Sequence, residues 1–154
     1  MLVYRITHKI YSARLFASGL EGRWNREGNK VVYTAGSVAL AFLENMIRRQ
    51  GVGFNTDFKI MIIKIPDDLK VQTIKVADLP TGWRKFRDYS KCQKLGDEWY
   101  DKMERPILKV PSAVLPEECN YVINTTHVGF KKVQLIDTTD LLPDERSRYG
   151  RIVC

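Results

Sequence analysis

The sequence predicts an α+β fold, a single compact domain with a mixed or antiparallel β core and flanking helices. Three observations lead there. The chain has 154 residues, 44% hydrophobic and 28% charged, which suits one globular domain over residues 1–154 and leaves no room for a second core of normal size. Seven short strand-like runs accompany two helical segments without regular strand–helix alternation. No internal repeat, low-complexity tract or Pro/Gly/Ser linker interrupts them.

Leu2–Ile6 reads as the first strand. Residues 17–30, rich in Gly, Asn and charge, read as a loop, and Lys30–Ala35 as a second strand. Ser37 is placed to cap a helix over Val38–Arg49, which carries Arg48 and Arg49 in its last turn and stops at Gly51. Phe58–Ile65 is a nearly continuous apolar run halted by Pro66, the pattern of a buried strand. Val71–Val76 is expected to pair beside it across the Pro66–Asp67–Asp68 turn. Asp97 is expected to cap a short helix holding Trp99, Tyr100 and Met103 and ended by Pro106. Ile107–Val110, Tyr121–Asn124 and Lys132–Ile136 complete the strands.

Bulk chemistry narrows the function. No apolar run approaches the ~18 residues of a membrane span, and Arg5, His8, Lys9 and Arg14 break every candidate signal-peptide core. Cys92, Cys119 and Cys154 are odd in number and widely spaced, so a reducing cytoplasm is expected. No metal-binding pattern occurs, and neither a GxSxG elbow, a GxGxxG turn nor a P-loop is present. The formal charge is +7, and residues 1–50 alone contribute +5. That basic half suits nucleic acid, an anionic small molecule, an acidic protein partner or a merely solvated surface.

Within the first helix, Leu40, Leu43, Glu44 and Ile47 share the spacing of one face. A carboxylate on an apolar face requires a partner, so Glu44 belongs either to a buried Glu–Arg pair or to a pocket that meets a substrate. Gly22-Arg23-Trp24-Asn25 places an arginine, an aromatic and an amide on the predicted loop, and an arginine fork suits a diphosphate or carboxylate. Arg5, inside an apolar strand, lies either at an edge or facing a cleft. Tyr33 either packs or stacks on a flat ring, and Ser112, following Pro111, reads as a turn hydroxyl.

Taken together these stretches resemble the RES domain, a bacterial toxin family. The matching residues are Gly22-Arg23-Trp24-Asn25, Val31-Val32-Tyr33-Thr34-Ala35, Ser37, Ala39-Leu40-Ala41 and Glu44, then Val110-Pro111-Ser112-Ala113-Val114, Asn120-Tyr121 and Asn124. Arg23 precedes Tyr33 by ten residues and Tyr33 precedes Glu44 by eleven, as in that family, and Tyr4-Arg5-Ile6 resembles its N-terminal signature. Two departures stand out: Asn124-Thr125-Thr126-His127 replaces the usual Asn-Pro-x-His, and Glu21 replaces a common glycine.

The resemblance implies an ADP-ribosyltransferase-like fold and the toxin of a type II toxin–antitoxin pair, consuming NAD as a substrate, with no cofactor. It implies cleavage of the nicotinamide–ribose bond by water or phosphate, or transfer of ADP-ribose to a protein. Glu44 is then the catalytic carboxylate, with Arg5, Arg23, Tyr33 and Asn120 binding NAD and Ser112 positioning a ribose or amide group. The expected partner is an Xre-type helix-turn-helix antitoxin covering the active site, with DNA reached only through it and room for a homodimer in the complex. A basic nucleic-acid-binding or ribonuclease module is the competing reading, resting on the charge and on Trp83-Arg84-Lys85-Phe86-Arg87-Asp88-Tyr89.

Overall fold

The computed structural model describes residues 1–50 and 53–147, so Gly51 and Cys154 lie outside the described residues. Its strands are β1 (Leu2–His8), β2 (Val31–Ala35), β3 (Phe58–Lys64), β4 (Val71–Thr73), β5 (Ile107–Pro111), β6 (Cys119–Asn124) and β7 (Gln134–Asp140). Helix α1 spans Val38–Arg48 and helix α2 spans Ser90–Lys102. The strands form one seven-stranded sheet in the order β4-β5-β6-β2-β1-β3-β7, antiparallel except for the β4–β5 pair.

Alternation along the strands separates two faces. On one, Val3, Val32, Met61, Ile63 and Ile123 gather in a core under the loops. On the other, α1 lays Leu40, Ala41 and Met46 against Ile6 and Ala35. Helix α2 shares that face, burying Cys92 and Trp99 with Trp24, Trp83, Leu108, Val110 and Val122.

The feature that shapes the molecule is a parting within this sheet. β1 pairs with β3 along its full length, but among the described residues it shares only the Tyr4–Ala35 register position with β2. Past that point the β1 edge needs other partners, since a buried carbonyl without one costs free energy. Asn45 of α1 supplies one, its Nδ2 donating to the Ile6 carbonyl at 2.8 Å in a fully buried bond. The helix thus sits at the parting.

Several expectations need correction. The strand at Val71 does not pair with β3: both edges of β3 are occupied, by β1 and β7, and Val71 pairs in parallel with Ile107 at the far end of the sheet. Helix α2 begins at Ser90, whose N–H and hydroxyl both donate to Asp88, and not at Asp97. Asp97 lies inside the helix and accepts from the Arg26 N–H at 3.0 Å and Asn29 Nδ2 at 2.8 Å, binding the loop that precedes β2. α2 ends at Met103 in the left-handed region (φ 52°), before Pro106. In α1 the buried stripe is Leu40, Ala41, Asn45 and Met46; it is rotated from the expected face, so that Ile47 is half exposed and Glu44 lies on its margin. Ser37 caps α1 as expected, accepting from the Leu40 N–H.

Candidate active site

Three elements converge on Glu44, which projects half-buried from the second turn of α1. Ser112 follows the last residue of β5 and is fully buried; its hydroxyl donates to Glu44 Oε1 at 2.7 Å. Asn120 of β6 donates to the same oxygen through Nδ2 at 2.6 Å. Ser112 Oγ also accepts from the Val114 and Leu115 N–H groups at 3.1 and 3.0 Å, which fills its one donor and two acceptor positions. Among the described residues no cation pairs with Glu44 and no donor reaches Oε2. A buried Glu–Arg pair is therefore excluded: neutral donors fix one oxygen of this carboxylate and leave the other open.

Tyr33 reaches the same face. Asn120 stands opposite Ala35 and Val122 opposite Tyr33, so Tyr33 and Asn120 are diagonal neighbours across the β2–β6 pair. The Tyr33 hydroxyl accepts from the Trp24 N–H at 3.0 Å and donates to Asn25 Oδ1 at 2.6 Å. Burial pushes its ionisation above the ordinary tyrosine range, against the pull of the Trp24 N–H, so the phenol stays protonated. These bonds clamp the Gly22–Asn25 loop onto the sheet. Gly22 is obligatory there, because a Cβ would come within 2.6 Å of the Tyr33 oxygen. Trp24 is core, 3% exposed.

Arg23 leaves this loop toward the segment before α2. Its Nη1 donates to the Trp83 carbonyl at 2.6 Å and the Lys85 carbonyl at 3.3 Å, and its guanidinium lies 4.6 Å from the centre of the Tyr89 ring. Burial pushes the Cys92 thiol up, opposed by the charge of Arg23. These neighbours orient the guanidinium without neutralising it, unlike Arg26, which Asp97 and Asp101 pair.

Arg5 stands apart from that group. It is not at a sheet edge, since β1 lies between β2 and β3, and it alternates with Tyr4 and Ile6 and so leaves the strand on the face away from α1. Its Nη1 makes one long bond, 3.4 Å, to the Phe16 carbonyl. Burial, and then the like charge of Arg48, hold the Arg5 pKa below the usual arginine value. No carboxylate among the described residues pairs with it.

Elsewhere the structure assigns local work to residues the sequence had singled out. His127 Nδ1 accepts from the Gly129 N–H at 2.8 Å and starts a 3-10 turn, while Asn124 Oδ1 accepts from the Thr126 N–H and hydroxyl. These bonds build the turn where the family pattern has a proline. Trp83 is core and Arg84 donates to the Ala113 and Val114 carbonyls, so the aromatic–basic segment anchors the site's loops. Sequence reasoning missed Asn45 and Gln93, whose Nε2 donates to the Gly22 and Asn25 carbonyls at 3.0 and 3.3 Å. Asn45 did leave a signal, an amide four residues after Ala41 on an otherwise apolar stripe.

Comparison with known proteins places the chain in a family. A family model described as the RES domain matches residues 2–144. "Toxin Res" of Yersinia enterocolitica is 33% identical over 135 residues, covering 85% of this chain and 88% of that protein. The "Prs ADP-ribosylating toxin" of a Sphingobium strain is 31% identical over 127 residues, covering 81% and 79% respectively. Among solved structures, a chain of the M. tuberculosis MbcT–MbcA toxin–antitoxin complex superposes with a TM-score of 0.74 at 20% identity, covering 96% of this chain and 88% of its own. With a family model spanning nearly its whole length and relatives above 30% identity, this chain belongs to the RES domain family.

Proposed function

We propose that this protein is the toxin of a toxin–antitoxin pair and that it breaks the nicotinamide–ribose bond of NAD. The observation that carries the reading is the state of Glu44: Oε1 held by Ser112 and Asn120, Oε2 without a donor among the described residues. Nicotinamide departs as a neutral base, so positive charge develops on the ribose in an oxocarbenium-like transition state. A fixed carboxylate with one open oxygen stabilises that charge without reorganising, and the same oxygen can accept from a ribose hydroxyl or an attacking water. Because the Ser112 proton already goes to Glu44, Ser112 acts through Glu44 as a positioning residue. Arg23, without a carboxylate partner among the described residues, supplies charge for the diphosphate, and the protonated Tyr33 walls the nicotinamide side. NAD is the substrate, and no cofactor is invoked.

The purified chain should release nicotinamide from NAD, and Glu44→Ala should lose at least about a hundredfold in kcat while remaining folded. Full turnover by a folded Glu44→Ala protein would remove Glu44 from the chemistry. A second reading breaks the same bond but hands the ADP-ribose to a protein, and the relative named as an ADP-ribosylating toxin favours it. Labelled NAD distinguishes the two: label in free ADP-ribose or its phosphate marks hydrolysis or phosphorolysis, and label on a protein marks transfer. An Xre-type helix-turn-helix antitoxin covering the Glu44 site is the expected partner in the cytoplasm, and it should inhibit nicotinamide release.

A further inference from the structure

The segment Trp83-Arg84-Lys85 is bonded to both halves of the site. On one side its backbone receives Arg23, which donates to the Trp83 and Lys85 carbonyls. On the other, the Arg84 side chain reaches the turn that begins at Ser112. Its Nε donates to the Ala113 carbonyl at 2.8 Å and its Nη2 to the Val114 carbonyl at 3.3 Å. No main-chain N–H among the described residues donates to either carbonyl, and no carboxylate among them pairs with Arg84. The fork of this exposed arginine is therefore committed to the turn.

The two peptides it grips are the ones that aim Ser112. The Ala113 carbonyl and the Val114 N–H belong to one planar peptide unit, and the Val114 carbonyl and the Leu115 N–H to the next. Both N–H groups donate to Ser112 Oγ, and with its acceptor positions filled the hydroxyl gives its proton to Glu44 Oε1. Arg84 thus holds the outer ends of two rigid units whose inner ends fix the Ser112 oxygen. A rigid guanidinium fork can fix both planes at once, which a single donor cannot.

We infer that Arg84 is a positioning residue for Glu44, acting through the two peptides after Ala113 and Val114 and through the Ser112 hydroxyl. Its effect on turnover rests on the NAD reading above; its hold on the turn does not. Substrate binding at Arg23 is separate from it. Trp83 has a buried ring, and its carbonyl is also met by the Cys92 thiol, so the Arg23 end of the segment stays in place when Arg84 is cut back.

The experiment measures nicotinamide release from NAD by the wild type, Arg84→Ala, Arg84→Lys, Ser112→Ala and the double variant Arg84→Ala, Ser112→Ala. Amide exchange at Val114 and Leu115 is followed in the wild type and Arg84→Ala. Arg84→Ala should lower kcat about tenfold with KM unchanged, the mark of misplaced catalytic geometry. Arg84→Lys keeps the charge without the fork and should also lose kcat. The double variant should turn over no more slowly than Ser112→Ala alone, because both changes act on one bond. Exchange at the two amides should quicken about fivefold in Arg84→Ala, the protection of roughly one hydrogen bond. Arg84 is exposed, so its variants should fold, as melting curves will show. Losses that multiply in the double variant, wild-type kcat in Arg84→Lys, or a raised KM with kcat intact would each overturn the positioning role. A wild type that releases no nicotinamide overturns the NAD reading instead; exchange at the two amides then decides for Arg84, and unchanged protection overturns it.

Discussion

At the scale of single residues, Ser112 and Asn120 make similar bonds to one oxygen and should behave differently when removed. Ser112 is fully buried and also holds the Val114 and Leu115 N–H groups, so Ser112→Ala orphans two backbone donors as well as releasing Glu44. It should cost about 1–3 kcal/mol of stability in a denaturant titration, besides lowering kcat. Asn120 is half-buried and donates only to Glu44, so Asn120→Ala should lower kcat with a much smaller shift of the unfolding midpoint. Equal stability losses in the two variants would refute this division. Asn45→Ala is the third case: it strands the Ile6 carbonyl at the parting of the sheet and should destabilise by roughly 1–3 kcal/mol. The sequence exposed Glu44 because a carboxylate among Leu40, Leu43 and Ile47 demands an explanation, but not that its partners would be neutral. Ser112 and Asn120 lie 68 and 76 residues away, and only strand pairing brings them to α1.

At the scale of elements, α2 departs furthest from expectation: Asp97, expected to cap it, lies inside it. A glycine in a helix interior costs about 1 kcal/mol relative to alanine, so Gly96 calls for a tertiary reason. In the structure α2 runs straight through Gly96 because its Cα rests on the backbone of Trp24, where a Cβ would drive into the Trp24 carbonyl. The close approach is tertiary, so no local pattern announces it. Gly96→Ala is then a sharp test. An exposed helix would gain up to ~1 kcal/mol from that change, but here the opposing atom is backbone and cannot rotate away, and overpacking costs about 1–3 kcal/mol. The variant should melt at a lower temperature. It should also lose NAD turnover, because the displaced Trp24 carries Arg23 and the Tyr33 clamp with it. A rise in melting temperature would show that α2 is not seated on the loop. The strand at Val71 failed for a related reason: hairpin logic favours the nearest neighbour, and the β3 edge had been claimed by β7 from the end of the chain.

At the scale of the whole molecule, charge both recognises substrate and fastens the sheet, and acid should separate the two roles. β1 borders the parting, and ion pairs grip it at both ends: the N-terminal ammonium meets Asp67 at 2.9 Å, and Lys9, just past the strand, meets Asp57 at 2.7 Å. Lys132 pairs with Asp68, the sequence neighbour of Asp67. Hydrogen bonding to the N-terminus, Lys9 and Lys132 respectively lowers the pKa of Asp67, Asp57 and Asp68 below the ordinary carboxylate value. A carboxylate with a depressed folded-state pKa binds protons more readily when unfolded. Its stabilising effect is therefore complete above the unfolded value, near pH 4, and is lost as pH falls through the lower folded value. The melting temperature should hold between pH 7 and 5 and fall steadily below about pH 4. Asp67 and Asp68 are exposed and Asp57 is partly so, so each contributes little and 0.5 M salt at pH 7 should imitate only part of the loss. The double variant Asp57→Asn, Asp67→Asn should flatten the acid limb, because those protons no longer bind. Amide exchange should localise the effect, with the ends of β1 and β3 opening in acid before Val3 and Ile63, which are completely buried in the core. An acid limb unchanged by the double substitution would place the titrating groups elsewhere, and β1 would then be held at the parting by its pairing with β3 and by Asn45, without help from its ends.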